Sequence, residues 1–309
     1  MIGELMDSIT TFTSSIKLGL VRFLSWTWFK GLQFFVAQPL GAAGLLIIII
    51  MLIASLFAQY VSPFDPVAID FGSMLAAPSS THWMGTDQFG RDILTRIIYG
   101  ARTALSIGFW SSFIGCTLGA AIGIASAYFG GKTDLLIQRF VDILLSFPII
   151  VLAVVVVAML GSKVVAGVDL NLVIAIALPI MPKAVRVIRA ATLSVREMLY
   201  VDAARASGYS NMRIMFIHIA PNVTAPYLII LTAYIAQAIL LEASLTFLGL
   251  GVSEPTPAWG LMLSGNSSDF YREAPWMIIF PGLAISLSVF AFNLFGDSLR
   301  DWLDPKFKA

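Results

Sequence analysis

Long apolar runs dominate the pattern of this chain, with few of the short alternations expected of a soluble sheet. Six segments, at about 40–60, 103–129, 141–161, 170–190, 222–247 and 275–297, approach the roughly 20 apolar residues a helix needs to cross a bilayer. Backbone facing lipid has no water to bond, so all six are expected to be helices. The fourth is the least obvious, because its charge-free stretch, 170–182, is short and Lys183, Arg186 and Arg189 follow at once. Basic residues favour the inner side of a membrane, and their distribution settles the question. With six spans and the N-terminus inside, fourteen of the 19 Lys and Arg lie inside. Only Arg91, Arg96, Arg102, Lys163 and Arg272 lie outside. Without the fourth span the inner side would hold six and the outer side 13, so the segment is read as a span.

This reading divides the chain. Residues 1–39 form a cytosolic N-terminal segment, in which 5–36 mixes Lys17, Arg22 and Lys30 with Trp26, Trp28, Phe29, Phe34 and Phe35. That mixture predicts a helix lying in the membrane interface. The first span, 40–60, is longer than a signal h-region and lacks a clear cleavage site near its end, so it is expected to be retained. Residues 61–102, with Pro63, Pro66 and Pro78, form an external scaffold segment. Residues 103–299 form a core of five helices with a cytosolic loop at 183–221 and an external loop at 250–274, and 300–309 form a cytosolic tail. The expected class is an all-α membrane protein with six transmembrane helices and an N-terminal interfacial helix.

Composition agrees. Hydrophobic residues make up 58% of the chain and charged residues 12%, against about a quarter charged in soluble domains. The net charge of +1 gives no reason to expect nucleic acid. Cys116 stands alone, so no internal disulfide can form, and His82 and His218 are too far apart in sequence to suggest metal-ligand spacing. Gly130-Gly131-Lys132-Thr133 superficially matches a phosphate-binding loop, but Ser126 stands where the first glycine belongs and an apolar helix precedes it. No bound metal, catalytic residue or internal ATP site is therefore expected.

Several clusters carry candidate function. The 183–221 loop predicts a helix from about 196 to 207, ended by Gly208 and followed by a second helix capped by Ser210 or Asn211. Ala203 and Ala204 leave little side-chain bulk, so a partner can approach closely; an ordinary amphipathic connector is the plainer reading. Gly115, Gly119 and Gly123 suit close helix packing, within the chain or against a partner. Glu242 is a deep carboxylate near Ser244 and Thr246, either lining the external end of a pathway or bonded to nearby hydroxyls. Asp87, Arg91, Asp92 and Arg96 recur at near-helical spacing, as a surface helix of ion pairs, an external docking scaffold, or both. Pro148, Pro179 and Pro182 are candidate kinks.

The loop residues Asp202-Ala203-Ala204, Gly208 four residues on, and His218-Ile219-Ala220-Pro221 resemble the ATPase-coupling loop of ABC importer permeases. Asp202 replaces the usual glutamate and Ala220 the usual leucine. His218 resembles the dipeptide/oligopeptide/nickel branch. Three other segments resemble that branch: Gly85-Thr86-Asp87-Gln88-Phe89-Gly90-Arg91-Asp92 with Arg96, Phe247-Leu248-Gly249-Leu250-Gly251 with Pro255 to Gly260, and Phe292 through Pro305. The resemblance runs from about residue 40 to the C-terminus and is closest to the C-type permease. It implies a type I importer permease fold in a bacterial inner membrane. It also implies a sister permease, two ATPase subunits that hold ATP and Mg, an external substrate-binding protein, and a dipeptide or oligopeptide cargo. Nickel chelates and modified peptides are the alternatives within the family. Asp202, Ala203, Ala204, Arg205, Gly208 and Pro221 would then couple to the ATPases, and this chain would perform no covalent chemistry. An ion-coupled carrier would normally show several intramembrane carboxylates or histidines, or internal repeats, and only Glu242 stands out. A membrane enzyme would need a cluster of catalytic residues, and none is evident.

Overall fold

The computed structural model describes residue 35 and residues 37–165, 167–265, 270 and 272–303. The interfacial helix expected over 5–36 falls almost entirely outside the described residues, as does most of the 300–309 tail.

Helix α1 is Pro39–Leu56. Pro39 sits in its first turn, where a missing N–H leaves no bond unmade. Helix α2, Ile93–Phe129, starts well before the expected residue 103. The Asp92 carboxylate accepts from the Thr95 N–H at 2.8 Å and caps the helix. Its 37 residues extend about 56 Å, so part of it stands beyond a hydrocarbon core about 30 Å thick.

The third segment corrects an expectation. In place of one helix over 141–161 there are two, α3 (Gly131–Leu145) and α4 (Ile149–Leu160), which meet at 90°. Proline disfavours helical backbone in the residue before it, and Pro148 is itself extended, with φ −57° and ψ 135°. The chain therefore turns at Ser146–Pro148. The 12 residues of α4 extend only about 18 Å, too short to span alone.

A short hairpin, β1 (Val164–Val165) and β2 (Val168–Asp169), links α4 to α5, Leu170–Arg196. Asp169 caps α5 by accepting from the N–H groups of Asn171 (3.0 Å) and Leu172 (3.2 Å). Pro179 and Pro182 lie inside α5 without ending it. The fourth span is thus one helix that itself carries Lys183, Arg186 and Arg189, and the connection expected from 183 begins only after Arg196. The remaining α-helices of five residues or more among the described residues are α6 (Leu199–Ala206), α7 (Thr224–Phe247), the short α8 (Trp259–Leu263) and α9 (Trp276–Leu303).

Glycine sets the central packing. A Cβ on Gly119 would sit 2.6 Å from the Ala184 Cβ and 2.7 Å from the Met181 carbonyl oxygen. One on Gly115 would meet the Ala177 oxygen at 2.8 Å, and one on Gly123 the Val185 oxygen at 2.8 Å. The partner numbers rise together, so α2 and α5 run parallel in close contact. The glycine stripe therefore packs within the chain. Helix α7 runs antiparallel to α2. A Cβ on Gly108 would sit 2.7 Å from an Ile239 side-chain carbon, and the Thr117 and Tyr227 hydroxyls bond at 2.8 Å. One end of the bundle thus holds the starts of α2 and α5 and the end of α7; it is called the loop end below. The opposite end carries α6 and many of the basic residues, and is called the basic end.

Candidate functional sites

At the basic end, α6 lies on the bundle by a narrow apolar footing. Val201 and Ala204 are buried in a cluster that includes Tyr128, Ile214 and Ile219. The opposite face is open: Leu199 is 86% exposed, and Asp202, Ala203 and Arg205 are exposed beside it. Of the two alanines expected to form a smooth face, only Ala203 does so. Asp202 pairs with Arg205 at 2.9 Å along the helix. The Arg205 guanidinium also lies over the Tyr128 ring at 5.6 Å, and the Tyr128 hydroxyl donates to the Asn211 side chain at 2.9 Å.

Gly208 ends α6 as expected. The Gly208 N–H donates to the Arg205 carbonyl at 3.0 Å and the Tyr209 N–H to the Ala204 carbonyl at 3.2 Å. These two bonds form a Schellman cap, which needs a left-handed residue, and Gly208 has φ +75°. No atom lies within 4 Å of a Cβ placed there, so the glycine serves backbone shape and leaves open space outside. Ser210 caps the following turn through Arg213 N–H at 3.4 Å.

The chain then reaches α7 through irregular helix. Ile214–Ile219 is a wide π-helical turn, and Ala220–Val223 is a tight 3₁₀ turn containing Pro221. Pro221 has no N–H to continue an α-helical ladder, while the Ala220 N–H reaches back to the Met215 carbonyl. Such turns mark places where a helix is readily re-aimed. His218 stacks on Tyr209 at 5.8 Å between ring centres, tying the joint to the cap.

At the loop end, the surface helix expected over Asp87 to Arg96 does not form. Gly85 (φ +76°) and Gly90 (φ +74°) fold this stretch into a buried turn, and the helix begins only at Ile93. All four charged residues are buried. Arg91 Nε donates to Asp87 at 2.6 Å, and Arg91 Nη1 donates to Glu254 at 2.8 Å. Arg96, 1% exposed, donates to the Pro66 carbonyl at 3.0 Å and lies 3.7 Å from Glu254. Asp92 faces the His82 ring at 3.0 Å, and His82 stacks on Phe64. Burial works against the Arg91 charge, but Glu254 and Asp87 outweigh it and hold its pKa above the ordinary arginine value. The network pins the 61–102 segment to the 250–274 loop. The Trp276 indole N–H also binds the Thr86 carbonyl at 3.1 Å, and that of Trp259 binds the Ile97 carbonyl at 3.0 Å.

Glu242, Ser244 and Thr246 do not share one surface. Glu242 is fully enclosed, and Thr246 donates its hydroxyl to it at 2.9 Å. Its second oxygen has no hydrogen-bond partner among the described residues. Ser244 points elsewhere, bonds the Leu240 carbonyl at 2.7 Å, and borders an apolar groove of about 330 Å³ with Phe247 and Leu248. In this conformation Glu242 therefore does not line an open path.

Residues 115–309 match the family described as binding-protein-dependent transport system inner membrane component. Residues 28–78 match the N-terminal transmembrane domain of oligopeptide transport permease C. The chain belongs to the ABC importer permease family. It is 42% identical to the dipeptide transport system permease protein DppC of Alkalihalophilus pseudofirmus, over 91% of both chains. It is 38% identical to the glutathione transport system permease protein GsiD of Pectobacterium atrosepticum, over 91% of this chain and 92% of that one. Among solved structures, an inward-facing form of the MetNI methionine ABC transporter matches with TM-score 0.55 at 17% identity, over 69% of this chain and 98% of that one. That likeness supports the type I permease fold.

Within this permease, sequence reasoning missed the partner of its own loop-end arginines. Glu254 lies 163 residues from Arg91 and shares no motif with it. It also missed Asp134, which binds Arg189 through both carboxylate oxygens and fastens α3 to α5. Asp134 follows the Gly130–Gly131 turn closely, and that turn was the available signal.

Proposed function

We propose that this permease is the C-type half of a heterodimeric ABC importer that moves dipeptides or short oligopeptides inward, driven through α6 by separate ATPase subunits. The observation that carries the reading is the build of α6: a small open face around Ala203, a glycine cap with free space beyond it, and an irregular joint into α7. The basic end is then cytosolic, as its Lys and Arg suggest, with both termini on that side. The loop end faces the external binding protein, and the rigid 61–102 segment serves as its docking scaffold. ATP and Mg belong to the partner subunits. Gly130-Gly131-Lys132-Thr133 supports that assignment, because it joins two helices where a phosphate-binding loop joins a strand to a helix.

In the proposed cycle, closure of the ATPases pushes on α6. Val201 and Ala204 give α6 little footing of its own, so it shifts as a unit, and the joint at 214–223 passes the shift to α7. Helices α2 and α5, locked by their glycines, move as one body. The path between the two permeases then opens outward and receives cargo. A peptide cargo is supported by the 42% and 38% identity to permeases named for dipeptide and glutathione transport.

Cysteine cross-linking tests the coupling geometry. Ala203→Cys is expected to cross-link to an ATPase subunit in the assembled complex and to inhibit uptake of a labelled dipeptide. Leu283→Cys, on the exposed flank of α9, serves as the control. No cross-link from Ala203→Cys, with uptake intact, would remove α6 from the ATPase contact. Uptake of a nickel chelate in place of peptides would replace the peptide cargo with the alternative within the same family.

A further inference from the structure

The loop-end network surrounds a cleft of about 230 Å³, lined by Asp87, Arg91, Arg96, Glu254, Leu261 and Met277 among others. Among the described residues that line it, two guanidinium groups and two carboxylates balance, but the carboxylates are not equivalent. Asp87 is buried and held by the N–H groups of Phe89 (2.8 Å) and Arg91 (2.9 Å) as well as by the Arg91 side chain. Glu254 is held through Arg91, with Arg96 farther off, and its side chain is 48% exposed. It reaches Arg91 with both oxygens, at 2.8 and 3.3 Å, as a carboxylate ligand would. Arg96 also borders the cleft, and its buried Nε has no hydrogen-bond partner among the described residues.

We propose that Glu254 fills, in this conformation, a carboxylate-binding site of the permease, and that the ligand which replaces it is the terminal carboxylate of the peptide cargo. Swinging Glu254 into water leaves one uncompensated positive charge on Arg91 and Arg96, and a single carboxylate restores the balance. The cleft is smaller than the roughly 300–1,000 Å³ of pockets that enclose a whole ligand, so it suits a chain end. Leu261 and Met277 offer apolar surface to the last side chain. The proposal rests on the importer reading above, with the loop end outside.

The test is calorimetric titration of N-acetyl-alanine and of its amide into the purified complex in nanodiscs. Wild type is expected to bind the acid weakly. Glu254→Gln is expected to bind it about tenfold tighter or more, with no gain for the amide. Glu254→Ser provides a second opened variant, and Arg96→Lys in the Glu254→Gln background is expected to lose most of the gain. Equal affinity for acid and amide, or no tightening in either opened variant, overturns the proposal. So does displacement of the acid by peptide-free binding protein, which would make an acidic side chain of that protein the occupant. A complex that binds the acid but shows no ATPase fails the importer reading alone. A working importer whose opened variants bind neither probe better than wild type fails this proposal alone.

Discussion

The two ends of this permease use charge in opposite ways. At the basic end, the half-buried pair Asp134–Arg189 fastens α3 to α5, while the charged pair of α6, Asp202–Arg205, is exposed and lies within that one helix. A pair of that kind contributes about 0–1 kcal/mol and ties α6 to no other element. At the loop end, Asp87, Arg91 and Arg96 are buried, and removing one member strands the others out of water, at a cost of about 3–5 kcal/mol. Net contribution and rigidity are separate matters: a buried network resists change even where its total stabilisation is small. Helix α6 is held lightly, whereas the loop-end segment is pinned by buried charge.

Substitutions break this comparison in order of size. Arg96→Met leaves Asp87 without one of its two cationic neighbours and is expected to lower stability by about 3–5 kcal/mol, seen as lost assembly or a large fall in the detergent melting temperature. A melt within a degree or two of wild type would show that the network is not structural. Gly119→Leu forces side-chain bulk between α2 and α5 where a single carbon already meets Ala184 at 2.6 Å. It is expected to destabilise by about 1–3 kcal/mol or more and to slow transport with the ATPases still bound. Gly208→Ala meets no atom, so its effect is the left-handed backbone alone, about 1–2 kcal/mol, confined to the α6 cap. Hydrogen exchange would show faster opening at 204–209 and no change in α2. Arg205→Ala should shift stability by about 0.5 kcal/mol or less, since an exposed pair three residues apart gives little. A larger fall would point to the Tyr128 contact as the main role of Arg205.

Much of this architecture is legible in the sequence for a physical reason. A chain in lipid has to satisfy its backbone within each segment, so apolar run length alone locates most spans. Gly208 and Ser210 were readable because caps depend on neighbours in sequence. The prolines were visible, but not their effects. Pro179 and Pro182 are buried in α5, whose packing on α2 keeps the helix continuous, whereas the exposed Pro148 has no such support and the chain turns. That contrast is set by tertiary contact, which spacing does not report. The spacing of Asp87, Arg91, Asp92 and Arg96 suggests a helix because the residues that turn the chain are Gly85 and Gly90, whose left-handed backbone packs closely against Ala76 and Asp70, contacts that spacing does not report. Glu254, the partner that completes the site, comes from a distant loop brought near by the fold.

In the proposed cycle α6 transmits the ATPase stroke while the loop end stays rigid. The most direct measurement is binding-protein-stimulated ATPase activity of the complete complex in nanodiscs, comparing wild type with Gly208→Asp. The substituted side chain projects into the open space where the partner is expected, so stimulation is expected to be lost in Gly208→Asp but kept in Gly208→Ala, which carries a similar backbone cost at the cap. Full stimulation in Gly208→Asp would contradict the proposed cycle and place the coupling contact elsewhere on the chain.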